Sequence, residues 1–123
     1  MFRNRQEFVL QWVKDTFGAK ALNRKERAAR LVEETLELAQ ACGLSLDDVA
    51  RIGNRVYDRA AGQCAREIGS VQITLEALAE LLGYKVDLLA DEELFRVLQL
   101  PARHFVDSDA EKRRVGILFY PPD

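Results

Sequence analysis

Apolar residues recur at helical spacing along most of this chain. Phe8, Val9, Trp12, Val13 and Phe17 predict an amphipathic helix over residues 4–17, ended by Gly18. Ala19 to Arg24 reads as a connector. A longer helix follows from about Lys25 to Ala41. Its apolar set is Ala28, Leu31, Val32, Thr35, Leu36, Leu38 and Ala39, and Gly43 supplies a stop. Ser45-Leu46-Asp47-Asp48 has the form of a capping box and opens a third helix to about Tyr57, with Val49, Ile52 and Val56 inward. Ala60-Ala61-Gly62 reads as a loop. The fourth helix spans roughly Gln63 to Leu82, before Gly83. Its ridge of Cys64, Ile68, Val71, Leu75, Leu78 and Leu82 alternates gaps of four and three, a seam suited to packing along another helix. A fifth helix covers about Val86 to Leu98, ended by Pro101.

After Leu98 the pattern changes. Ser108-Asp109-Ala110-Glu111 reads as the cap of a short helical turn into Lys112-Arg113-Arg114. Val115 to Tyr120 is apolar and β-prone, and reads as a segment that docks on the body or on a second subunit. The expected class is therefore all-α. It is a compact helical bundle of about five helices in one domain, 1–123, with a core over 4–99 and a short irregular tail over 100–123.

Composition narrows the reading. A length of 123 residues fits one domain, and 48% hydrophobic with 31% charged residues supports a core and solubility. A net charge of −2 gives no global reason to expect direct nucleic-acid binding. Two cysteines, Cys42 and Cys64, are too few for a disulfide framework and read as reduced thiols, which points to the cytoplasm. The polar start Phe2-Arg3-Asn4-Arg5-Gln6 lacks a signal-like apolar run. No run reaches the roughly 18 apolar residues of a membrane span, so no membrane partner is expected. His104 is the only histidine, which argues against His-based zinc chemistry and against a Ser-His-Asp set.

The chemistry is carried by Leu31-Val32-Glu33-Glu34-Thr35-Leu36-Glu37-Leu38. Residues three and four apart on a helix are neighbours, so Glu33, Glu34 and Glu37 converge on one side and repel by a few tenths of a kcal/mol per pair. Leu38 and Ala41, rather than Lys or Arg, stand four positions after Glu34 and Glu37. Arg30 is the nearest relief. Carboxylates so placed attract a divalent cation, and magnesium takes about six oxygen ligands, usually a few carboxylates with waters and phosphates. Glu67, in Arg66-Glu67-Ile68-Gly69-Ser70-Val71, is the natural second donor. Gly69 costs about 1 kcal/mol against Ala inside a helix, which suggests close approach by a backbone or ligand. If helices two and four pack antiparallel, these groups face each other, as in the di-metal sites of helix bundles.

Glu-Glu-x-x-Glu on one helix, a short intervening helix, then Glu67-x-Gly69-Ser70 resembles the MazG-like nucleotide pyrophosphohydrolases of the all-α NTP pyrophosphatase superfamily, in their short phage and bacterial form. Their pattern is Glu-Glu-x-x-Glu followed by Glu-x-x-Asp. Supporting pieces are Gln11-Trp12 with Phe17-Gly18, Arg27 to Arg30, Glu37 to Gly43, and Thr74-Leu75, over roughly residues 6–98. By position, the resemblance puts metal ligands at Glu34, Glu37 and Glu67, with Ser70 where the family has Asp. Glu33 is a further acidic member of the motif. The hydroxyl of Ser70 is a neutral, weaker ligand, which bears on the second metal.

The resemblance implies cleavage of a nucleoside triphosphate, NTP or dNTP, to the monophosphate and pyrophosphate. Mg²⁺, or Mn²⁺ in its place, is the implied cofactor, and homodimers or homotetramers the implied assembly. Glu33 or Glu37 would orient or deprotonate the attacking water. Lys25, Arg27, Arg30 and Arg96 are the candidates to hold the polyphosphate, and Trp12 or Tyr57 to stack on the base. Trp12 also has the plain reading of a core residue on an apolar helix face. Two alternatives stand beside this one. One is a nucleotide-binding protein with little or no hydrolysis, because of Ser70. The other is a structural interaction module whose acidic patch meets a basic partner.

Overall fold

The computed structural model describes residues 3–122, so the reading of Phe2 as part of a polar start lies outside the described residues. Among the described residues the chain is all-helical, with no strand. The helices are α1 (Arg5–Phe17), α2 (Arg24–Ala41), α3 (Leu46–Tyr57), α4 (Cys64–Leu82), α5 (Val86–Leu98) and α6 (Ala102–Arg114), with a 3-10 turn over Ala19–Ala21. The first five match the helices read from the apolar spacing to within a residue or so. The sixth corrects the expected irregular tail, and the count is six rather than about five. No helix is long and apolar enough to cross a membrane.

Local chemistry sets the helix ends. Asn4 accepts from the Glu7 amide at 2.9 Å to open α1, and Asn23 accepts from the Glu26 amide at 2.9 Å to open α2. The Ser45 box closes reciprocally: the Asp48 amide donates to Ser45 Oγ at 3.1 Å and the Ser45 amide to Asp48 Oδ2 at 2.9 Å. At the end of α2, the amide of Leu44 bonds the Ala39 carbonyl and that of Gly43 the Gln40 carbonyl. That Schellman geometry needs a left-handed residue, which Gly43 provides at φ 93°. Gly83 ends α4 in the same way.

The chain divides into two units, one of residues up to Val49 together with those from Pro101, the other Ala50–Leu100. In the first, α1 packs on the 3-10 turn and on α6. Val13 and Ala21 are buried there. Trp12, Phe17 and Phe105 meet edge to face with centroids 5.5–6.0 Å apart. Each such pair adds about 0.5–1.5 kcal/mol beyond area burial. His104 stands edge-on to Phe105 at 5.1 Å, on α6 rather than in a tail.

In the second unit α4 packs on α5, and Ala79 is buried. Much of the ridge read from spacing as a seam for another helix is uncovered within this single chain: Ile68 is 70% exposed, and Val71, Leu82 and Cys64 are exposed.

Val115 to Tyr120 forms no strand. It lies along the start of α2, held by backbone-to-side-chain bonds. The Phe119 amide donates to Glu26 Oε1 at 2.9 Å, and Asn23 Nδ2 donates to the Phe119 carbonyl at 3.0 Å. Arg30 Nη2 donates to the Ile117 carbonyl, and the Tyr120 hydroxyl donates to Asp109. Of the two docking places expected for this segment, the body is the one observed.

Candidate functional site

α2 carries the acidic trio by its helical repeat. Glu34 and Glu37 are exposed. Glu33 is half-buried and lies between two cations, with Arg30 Nη1 at 3.8 Å and Lys112 Nζ at 3.7 Å from its Oε1. The relief expected from Arg30 is thus present, and α6 adds a second cation that no local pattern announces. On α4, in the second unit, Glu67 and Ser70 are exposed. Glu67 sits in the first turn of its helix, where a carboxylate is favoured by the helix dipole. Its side chain folds back over Gly62, so that a Cβ at Gly62 would lie 3.3 Å from the carboxyl group. Ser70 receives the Thr74 hydroxyl on its backbone carbonyl at 2.8 Å.

Among the described residues no group of three or more His, Cys, Asp or Glu side chains is set to hold a metal ion. The available oxygens suit magnesium by type, since they are hard carboxylate donors. Glu33 fits such a role least, because its charge is already met by Arg30 and Lys112. Glu34, Glu37 and Glu67 are more exposed than Glu33.

The basic residues expected to hold phosphate carry other partners. Glu26, only 1% exposed, is the centre of their arrangement. Arg27 Nη2 donates to its Oε2 at 3.1 Å while Arg27 Nε donates to the Ala21 carbonyl at 3.0 Å. Arg30 Nε lies 3.3 Å from the same Oε2. Arg30 Nε and Nη1 are buried without a hydrogen-bond partner, so these contacts to Glu26 and Glu33 are ionic rather than hydrogen-bonded. Burial draws the Arg27 guanidinium below its ordinary pKa, against the pull of Glu26. Lys25 Nζ stands 4.6 Å from the centre of the Phe119 ring. Arg96 forks onto Glu93 within α5 at 2.5–3.1 Å. That hydrogen bonding is the main cause that holds the Glu93 carboxyl below its usual range, with burial opposing it. Trp12 sits in the aromatic trio with Phe17 and Phe105, whereas Tyr57 is 91% exposed. A substrate would have to compete with these contacts at Lys25, Arg27, Arg30 and Arg96.

Two further features carry only a faint signal in the sequence. The Glu26 centre was announced only by Asn23-x-x-Glu26, the spacing of a helix cap with an acidic third residue. The other is a groove of about 490 Å³ lined by Arg51, Asn54, Arg55, Asp58 and Arg59. Its signal is the recurrence of Arg every four residues along and just past α3.

Comparison with protein-family models, with curated proteins and with solved structures finds no match.

Proposed function

We propose that this chain is a metal-dependent nucleoside triphosphate pyrophosphohydrolase, cleaving NTP or dNTP to the monophosphate and pyrophosphate. The observation that carries the reading is the pair Glu34 and Glu37, both exposed on α2, with Glu67 exposed on α4. The resemblance of their motif to MazG-like enzymes supports it. In this reading Glu34, Glu37 and Glu67 are the carboxylate donors, and Ser70 adds a neutral oxygen. Magnesium, or manganese in its place, would when bound supply positive charge against the phosphate oxygens and acidify water. Glu37 is exposed on α2, and a carboxylate oxygen of Glu37 not engaged by the metal would accept the proton of the attacking water. Glu33, fixed between Arg30 and Lys112, orients that water rather than binding metal.

A homodimer or homotetramer belongs to the same proposal. Leu31, Val32, Ile68 and Ile73 are each more than half exposed on α2 and α4. Covering such side chains contributes about 1.5–3 kcal/mol each when burial is complete. Two free cysteines agree with a reducing cytoplasm.

The test is pyrophosphate release from a panel of NTPs and dNTPs with Mg²⁺ or Mn²⁺. Turnover that is lost in Glu34→Gln and Glu67→Gln supports the reading. Unchanged rates in those variants refute the assigned site. A second reading, nucleotide binding without turnover, is favoured by Ser70 at the Asp position. It predicts metal-dependent nucleotide binding by a protein that releases no pyrophosphate.

A further inference from the structure

The arginines of α3 stand on one side of their helix. Arg51, Arg55 and Arg59 are spaced by four, with Arg59 two residues beyond the last helical residue, Tyr57. Val49, Ile52 and Val56 occupy the other side; Ile52 and Val56, read as inward from the spacing, are about half exposed in this chain, and the arginines are exposed as well. The arginines, Asn54 and Asp58 line the groove of about 490 Å³, a volume within the range of small-molecule sites. It brings three guanidiniums against one carboxylate. Like charges four apart on a helix repel, and a bound anion relieves that repulsion. Among the described residues, Arg55 and Arg59 have no ion pair, in contrast to Arg27, Arg30 and Arg96.

We propose that this groove binds a multivalent phosphate, namely the triphosphate of a nucleotide. The identity of that ligand rests on the pyrophosphohydrolase reading; the preference for several phosphate charges does not. Guanidinium forks match phosphate oxygens in pairs. The groove lies toward the C-terminal end of α3, where the helix dipole is negative and stabilises the arginines. A chain of phosphates reaches all three guanidiniums at once, which a single phosphate does not, so the site favours several linked phosphates. Asn54 offers a neutral amide donor. Asp58 accepts hydrogen bonds when ionised, which suits a sugar hydroxyl or base amino group rather than phosphate. A nucleoside triphosphate therefore satisfies the lining better than inorganic tripolyphosphate, and both better than monophosphate.

The experiment is calorimetric titration of the full chain in EDTA at low and physiological salt. The probes are ATP, inorganic tripolyphosphate, inorganic phosphate and a single-stranded oligonucleotide. The proposal expects ATP and tripolyphosphate to bind, weakening as salt rises. Arg55→Gln with Arg59→Gln should weaken both at least tenfold. The doubly Lys-substituted chain should fall between, because it keeps charge and loses the forks. No binding of either polyphosphate, equal binding by the Gln variant, or tighter binding of the oligonucleotide overturns the site. The two proposals fail separately. Arginine-dependent binding without pyrophosphate release removes the hydrolase reading and keeps the groove. Turnover with an unchanged KM in the Arg55→Gln, Arg59→Gln chain removes the groove as a substrate site and keeps the hydrolase.

Discussion

Replacing Glu26 by Ala removes the group on which the start of α2 and the segment after α6 are fastened together. The side chain is 1% exposed. Its two oxygens meet the Phe119 amide at 2.9 Å, Arg27 Nη2 at 3.1 Å and Arg30 Nε at 3.3 Å. Removing one partner of a buried charge set costs about 3–5 kcal/mol. An orphaned buried amide adds about 1–3 kcal/mol. The two do not add fully, because release of residues 115–120 lets the amide and guanidiniums reach water. The expected loss is about 3–4 kcal/mol, a large share of a typical total of about 5–15 kcal/mol. Glu26→Gln keeps an acceptor for the Phe119 amide but loses the charge and turns an NH2 donor toward Arg27 and Arg30, so it should cost about 1.5–3 kcal/mol. Urea unfolding at fixed protein concentration reads both, with Trp12, the sole tryptophan, as a fluorescent reporter in the same unit. A loss below about 1 kcal/mol for Glu26→Ala, or equal losses for the two variants, refutes the reasoning.

Asn23→Ala removes both the α2 cap and the bond to the Phe119 carbonyl, and should cost about 1–2 kcal/mol by the same assay. A loss of only a few tenths would show the cap to be idle. Asp109 responds to pH in the direction set by its burial, which raises its carboxyl above 3.8 against the pull of Lys112. The folded state then binds the proton more tightly than the unfolded state, so this group's contribution falls as pH rises through the window above 3.8. Asp109→Asn keeps an acceptor for the Tyr120 hydroxyl and should raise Tm more at about pH 7 than at about pH 4. A larger gain at the lower pH contradicts that sign.

Five helices were legible because their apolar residues return every three or four positions and Gly or Pro follows them. α6 was not, because the positions that share a face with Phe105 include Ser108, Asp109 and Lys112. Those polar groups find partners in contact: Lys112 Nζ meets Ser108 Oγ at 2.8 Å, and Asp109 receives the Tyr120 hydroxyl. Hydrophobic periodicity cannot see a face satisfied by hydrogen bonds. Val115 to Tyr120 reads as β-prone from composition alone, whereas its backbone is held by Glu26, Asn23 and Arg30. The acidic trio was visible as spacing on one helix. Its partial neutralisation by Lys112 depends on a tertiary contact that spacing does not carry. The basic residues before the trio read as phosphate ligands because they are charged and near in sequence. Their partners, Glu26 and the carbonyls of Ala21 and Ile117, are matters of packing.

The central claim is that Glu34, Glu37 and Glu67 support metal-dependent cleavage of a nucleoside triphosphate. The most direct measurement is the rate of pyrophosphate formation by purified protein across NTPs and dNTPs, with and without Mg²⁺. The account predicts turnover with metal, none in EDTA, and loss of turnover in Glu34→Gln and in Glu67→Gln with the fold intact. Absence of turnover on every nucleotide, or full activity in both variants, would contradict it.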